Sequence, residues 1–274
     1  MEEKSSLKEI LNRMLTIKIN GIKTEAKEGS TILDVARQKM IYIPTLCHHE
    51  AMKPYGGCRL CAVEIGEDGN SRIVSSCQYI VEEGLVVRTD TERVKRVREL
   101  VLGLLLIDAS ENSKLLELAE RLGIKKMSRF KSKNEPCILC GLCIRACREV
   151  VGVSAIDYVK RGYEKVVASP FFKKSKDCIG CGTCFYVCPT GAVKMHEIEA
   201  GEKGKIPDGE EIKGPARIFD NWKVGFDFKK CKECGENFIP FKQIEFIKEK
   251  VKVQEDFFDT CLGCKKEEVK KTKS

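Results

Sequence analysis

Sixteen cysteines in 274 residues, all falling into four groups of four, constrain this chain more than any other feature. The groups are Cys47-x10-Cys58-x2-Cys61-x15-Cys77, Cys137-x2-Cys140-x2-Cys143-x3-Cys147, Cys178-x2-Cys181-x2-Cys184-x3-Cys188 and the double pair Cys231-x2-Cys234 with Cys261-x2-Cys264. Thiols two residues apart reach one point from a single turn, which suits metal ligation better than disulfide cross-linking. The charged start Met1-Glu2-Glu3-Lys4 is followed by no secretory apolar stretch, and the longest apolar run, Leu100 to Ile107 broken by Gly103, is too short to span a bilayer. The expectation is a soluble protein of the reducing cytoplasm, where thiols stay free.

The second and third groups carry the strongest signal. Each is the C-x2-C-x2-C-x3-C run of two-cluster iron-sulfur proteins, in which three cysteines hold one cluster and the fourth crosses to the other. Cys137, Cys140, Cys143 and Cys188 are therefore expected to share one [4Fe-4S] cluster, and Cys178, Cys181, Cys184 and Cys147 a second. Ile138, Leu142, Ile144, Ile179, Phe185 and Val187 surround the ligands with side chains that exclude water and build core. Pro189 follows the third group, whereas Arg148 follows the second, a departure that alters the local turn rather than the ligand set.

The first group offers four thiolates, which suit either a [2Fe-2S] cluster or zinc, and Gly56-Gly57 lets backbone N–H groups approach the sulfurs. Its spacing is not the plant-type pattern. In the fourth group, two tight turns 26 residues apart are the usual construction of a four-thiolate zinc site, so zinc is expected there, with another iron-sulfur cluster as the alternative.

Between these groups the sequence reads as separate units, and 42% hydrophobic with 33% charged residues is ordinary for a folded protein. Leu7, Ile10, Leu11, Met14 and Leu15 fall at helical spacing, predicting an amphipathic helix over residues 1–15. Thr16 to Thr24 reads as a hairpin turning at Asn20-Gly21, and Ser30 as the cap of a helix carrying Ile32, Leu33, Val35 and Ala36. Two helices are expected from Thr91 to Ile107 and from Ser113 to Leu122. The motif at Cys137 recurs at Cys178, 41 residues on, as two facing half-domains would. Glycine-rich residues 201–228 read as a linker to a last unit, 229–274. The net charge of +8 lies largely in Lys-rich surface stretches such as residues 265–274.

There is no G-x-G-x-x-G fingerprint, Walker loop or G-x-S-x-G elbow, and His48, His49 and His196 are not paired with a nucleophile, so no catalytic residue is assigned. The run Ile43-Pro44-Thr45-Leu46-Cys47-His48 through Gly57-Cys58-Arg59-Leu60-Cys61 closely resembles the N-terminal [2Fe-2S] domain of the large iron-sulfur subunit of respiratory complex I. Over about residues 16 to 200 the pattern also looks like the small diaphorase subunit of NAD-reducing hydrogenases and the accessory domains of [FeFe] hydrogenases.

The resemblance implies an α+β multidomain protein. It would comprise a β-grasp [2Fe-2S] domain (16–90), a helical connector (91–132), a ferredoxin-like double [4Fe-4S] domain (133–200) and a small C-terminal zinc ribbon. Such relatives usually hold a further [4Fe-4S] cluster on one histidine and three cysteines in the connector, but residues 90–136 contain neither residue type and that cluster is predicted absent. The implied function is an electron-transfer subunit that relays single electrons between a flavin- and NAD(P)-binding partner and a second redox centre. That centre would be a hydrogenase, a formate dehydrogenase or a ferredoxin-linked bifurcating enzyme. The alternatives are a free-standing ferredoxin-like carrier and a nucleic-acid-binding zinc-ribbon protein, the latter disfavoured by the twelve cluster-type cysteines.

Overall fold

The computed structural model describes residues 13–67, 69–124, 135–206 and 209–271. It divides into two compact units, Met1–Leu142 and Cys143–Ser274.

The first unit opens with a hairpin, β1 (Met14–Ile19) and β2 (Ile22–Lys27). Asn20 and Gly21 both have positive φ, the requirement of a tight turn whose twist matches its strands. Asn20 also exchanges side-chain hydrogen bonds with Thr89, at 2.8 Å in each direction, which fixes the turn against the later chain. Strands β3 (Ala62–Ile65), β4 (Arg72–Ser75) and β5 (Val86–Arg88) complete a five-stranded sheet in the order β2-β1-β5-β3-β4. Within it β1 and β5 are parallel and the other neighbours antiparallel. Helix α1 (Ile32–Gln38) sends Ile32, Leu33, Val35 and Ala36 into a core shared with Leu15, Ile17, Ile19, Val63 and Val87.

Two local expectations change. Met14 and Leu15 belong to β1, not to a helix, because Leu15, Ile17 and Ile19 are buried in strict alternation and the two-residue period of the sheet extends back through them. The rest of the expected N-terminal helix lies outside the described residues. The cap of α1 is Thr31 rather than Ser30. The Thr31 hydroxyl accepts from the Asp34 N–H at 3.2 Å while the Asp34 carboxylate takes the Thr31 N–H at 3.0 Å, a reciprocal box that Ser30 is one residue too early to make. Helices α2 (Glu92–Asp108) and α3 (Ser113–Arg121) follow, capped by Thr91 and Asn112, and close a second core of Leu102, Leu106, Ala109, Leu115 and Ala119 against Leu46 and Leu60.

In the second unit the chain passes through a short π-helical stretch, Ala146–Val151, and a small hairpin, β6 (Asp157–Val159) with β7 (Val166–Ala168). A four-stranded antiparallel sheet then forms from β8 (Met195–Ile198), β11 (Ala216–Phe219), β12 (Val224–Lys230) and β13 (Asn237–Pro240), in the order β13-β12-β11-β8. A two-stranded ribbon, β9 (Lys203–Lys205) with β10 (Glu211–Lys213), lies between β8 and β11 in sequence. Residues 201–228 are thus largely strand, not linker. Their glycines serve packing as well as turns: a side chain at Gly204 would come within 2.5 Å of Ile218 and 3.1 Å of Ile198. Helices α4 (Phe241–Lys250) and α5 (Leu262–Lys271) end the described chain. Among the described residues no helix is long and apolar enough to cross a membrane.

Candidate iron-sulfur and metal centres

The first cysteine group converges inside the first unit. Cys61 immediately precedes β3 and Cys77 follows β4, both in the core of the sheet; Cys47 and Cys58 come from loops and pack in the helical core beside Leu60 and Leu102. Exposures of 1% for Cys47, Cys61 and Cys77 and 8% for Cys58 put all four sulfurs in a dry place. Cys47 and Cys58 perturb one another's thiols, as do Cys61 and Cys77. The Cys47 thiol beside it pulls Cys58 down to about 6 while Cys47 itself is raised; in the other pair Cys77 pulls Cys61 down to about 6 and is itself raised. A cluster or ion bound here would take all four cysteines as thiolates. The Cys58 N–H donates to Cys47 Sγ at 3.3 Å, the backbone approach expected after Gly56-Gly57.

The fourth group is built differently. All four sulfurs of Cys231, Cys234, Cys261 and Cys264 lie within 4.8 Å of one another, with Cys231 to Cys264 at 3.9 Å and Cys234 to Cys261 at 3.8 Å. Tetrahedral bonds of about 2.3 Å put sulfurs about 3.8 Å apart, so this cage fits one ion such as zinc. No other group of three or more His, Cys, Asp or Glu among the described residues closes so tightly. The first pair sits on the turn between β12 and β13. The second pair opens α5, where a two-hairpin ribbon would have a second turn. Cys261 N–H donates to Cys231 Sγ at 3.2 Å, and backbone N–H groups, first that of Cys234, pull Cys231 down to about 6. Asp259 accepts from Lys229 and Lys232, which holds its carboxyl down at about 2 and ties the two turns together.

Between these extremes lies a cavity in the second unit. Cys178, Cys181 and Cys184 of the third group line it together with Cys147, the last cysteine of the second group. Ile156, Ile179, Phe219 and Trp222 complete its apolar walls. Four cysteines spaced around one apolar pocket, not gathered within 4.8 Å like the C-terminal four, suit a polynuclear cluster, whereas a single ion draws its ligands into contact. Hydrogen bonds reach the sulfurs from Ala155 N–H to Cys147 at 3.3 Å and from the Trp222 indole N–H to Cys184 at 3.4 Å. Burial nevertheless pushes Cys178 to about 11 and Cys184 to about 12, so both thiols need a metal to lose their protons.

The remaining ligands are each placed within their own unit. Cys140 packs with Ile138 against the α2/α3 core of the first unit. Cys143 and Cys188 belong to the core of the second, where Ala192 N–H donates to Cys188 Sγ at 3.2 Å. Cys137 is half-buried.

Residues 12–92 match the model of a 2Fe-2S iron-sulfur cluster binding domain, and residues 136–192 that of a 4Fe-4S dicluster domain. The chain is an iron-sulfur protein. It is 37% identical over 215 residues to the NADP-reducing hydrogenase subunit HndD of Solidesulfovibrio fructosivorans, covering 67% of this chain and 36% of that one. It is 30% identical over 205 residues to an NADH-quinone oxidoreductase subunit of Rickettsia conorii, covering 66% and 30%. A solved NAD+-reducing [NiFe]-hydrogenase in the H2-reduced state superposes with a TM-score of 0.50 at 28% identity, over 57% of this chain and 75% of that one. The iron-sulfur protein therefore spans about a third of the length of these curated relatives, and the resemblance read from its cysteine motifs holds.

Two residues beside the centres escaped the sequence reading. Trp222 lies in the supposed linker, where the only tryptophan of the chain was itself a signal of packing. Arg98 is 6% exposed and donates through Nη2 to the Ala62 carbonyl at 2.8 Å, next to Cys61. Its signal was its row: Val94, Arg98, Leu102 and Leu106 repeat every four residues, placing a cation on the buried stripe of α2.

Proposed function

We propose that this chain is the electron-relay subunit of a multi-subunit NAD(P)-linked oxidoreductase. It would carry one [2Fe-2S] cluster on Cys47, Cys58, Cys61 and Cys77 and two [4Fe-4S] clusters, with a structural zinc on Cys231, Cys234, Cys261 and Cys264. The observation that carries this reading is the cavity ringed by Cys147 with Cys178, Cys181 and Cys184, because a cysteine contributed by the neighbouring motif is what a two-cluster domain needs. The assignment of Cys137, Cys140, Cys143 and Cys188 to the other cluster rests on the same spacing rule. The mixed sheet with α1 is read as a β-grasp domain, and the C-terminal four-cysteine knot as a structural module.

Clusters of this kind supply one-electron transfer; the chain's part is to hold them, keep water out and set their potentials. At the first site the apolar cores of sheet and helices do the excluding, and the Cys58 N–H donates to sulfur. Electrons would enter from a flavoprotein that converts a hydride into two single electrons, and leave to a hydrogenase, a formate dehydrogenase or a ferredoxin.

Gentle anaerobic isolation of the endogenous chain tests the reading. A flavoprotein should accompany it, and NADH or NADPH should bleach the clusters only while that partner is present. Isolation as a monomer without flavoprotein would favour a free-standing carrier, and retention on nucleic acid that vanishes on deleting residues 229–274 would point to the zinc-module alternative.

A further inference from the structure

The β11–β12 turn stands against the cavity of Cys147, Cys178, Cys181 and Cys184 at several points. Phe219 and Trp222 form part of its wall. Phe226 of β12 lies over Gly180, in the loop between Cys178 and Cys181; a side chain there would come within 2.7 Å of the Phe226 ring, and the residue has φ of +73°. Arg217 of β11 donates through Nη1 to the Gly180 carbonyl at 2.8 Å. Lys242 of α4 donates to the Lys176 carbonyl two residues before Cys178. The sheet that follows the cysteine motifs thus grips the ligand loop by backbone carbonyl, glycine face and sulfur. The matched 4Fe-4S dicluster domain ends at residue 192, so this grip comes from chain outside it.

One of these contacts has an electronic consequence. Trp222 is 2% exposed, and its indole N–H donates to Cys184 Sγ at 3.4 Å. A donor aimed at a ligand sulfur stabilises the more negative, reduced cluster over the oxidised one. Water cannot replace that donor at a buried position, and in a low-dielectric surround each fixed donor counts for more.

We propose that Trp222 is a positioning and tuning residue that raises the midpoint potential of the cluster held by Cys147, Cys178, Cys181 and Cys184, and that the C-terminal sheet serves to hold it there. The inference rests on the reading of that cavity as a [4Fe-4S] site. It assigns the segment after residue 192 a role in the relay beyond carrying the four-cysteine knot, and it makes the two [4Fe-4S] clusters unequal.

The test is an EPR-monitored redox titration of the full, anaerobically purified chain beside its Trp222→Phe variant. Phenylalanine keeps an aromatic wall and removes the N–H. The expected result is a more negative midpoint for one [4Fe-4S] signal, with the other signal, the [2Fe-2S] signal and the iron content unchanged. Unchanged midpoints at full iron content would overturn the proposal.

Should the variant lose iron, the unsubstituted protein answers the question, because the chain has a single tryptophan. With 15N in the indole ring, pulsed EPR of the reduced protein should show nitrogen coupling on one [4Fe-4S] signal. Absence of that coupling from every signal would overturn the proposal. Failure of the underlying reading looks different: the native protein would then lack a second [4Fe-4S] signal before any substitution.

Discussion

Arg98 shows how a single side chain acts on a buried redox site. A guanidinium remains charged in proteins and loses much by leaving water, and burial pushes Arg98 below its usual range. Its Nη2 is satisfied by the Ala62 carbonyl, while its Nε, with no hydrogen-bond partner, faces a surround that includes Cys61. A positive charge there favours the extra electron on a cluster bound by Cys61. Arg98→Met keeps the apolar stem that continues the Val94–Leu102 stripe and deletes the charge. It should lower the [2Fe-2S] midpoint by on the order of 60 mV, the one-electron equivalent of a tenfold change, and leave the [4Fe-4S] midpoints in place, as redox titration would show. An unmoved midpoint would reduce Arg98 to a packing residue. The position of this arginine on the buried face was legible from its four-residue spacing; its setting near Cys61 was not, because Cys61 is 37 residues away in sequence.

At the scale of elements, the central arrangement is the exchange of a cysteine between motifs. Cys147 ends the first motif yet lines the cavity of the second, with the Ala155 N–H fixing its sulfur. Cys147→Ala should therefore damage the cluster of Cys178, Cys181 and Cys184, converting it to a three-iron form or losing it, while the cluster carried by Cys137, Cys140 and Cys143 survives; EPR separates the cases. Loss of the other cluster instead would contradict the crossed assignment. In the C-terminal knot, Asp259 joins the strand end at Lys229 and the turn at Lys232 to the helix start at Cys261. Asp259→Asn removes the charge that ties the two turns together and should weaken metal retention, measured as faster metal transfer to a chelator. The cysteine motifs, the Asn20-Gly21 hairpin and both connector helices could be read directly, since each is a local signal. The strands of residues 201–228 could not: they are three to seven residues long, several are flanked by glycine, and their partners are set by tertiary pairing. Met14 and Leu15 show a related limit, because a short apolar row fits a helix face until its neighbours on the sheet are known.

At the scale of the whole molecule, the cysteines gather in three different ways, each suited to a different centre. Four cysteines buried where the sheet and helical cores adjoin suit a binuclear cluster, a ring around an apolar pocket suits a cubane, and a tight tetrahedron suits one ion. The connector contributes an apolar core of Leu102, Leu106, Leu115 and Ala119. Residues 90–136 contain neither histidine nor cysteine, so this stretch itself offers no ligand for a further cluster. Metal analysis of anaerobically purified protein tests this most directly. The account predicts about ten iron and one zinc per chain, with EPR of the reduced protein resolving one [2Fe-2S] and two [4Fe-4S] signals. About fourteen iron without zinc would make the C-terminal knot a fourth cluster, and about six iron would remove one [4Fe-4S] cluster and contradict the relay as described.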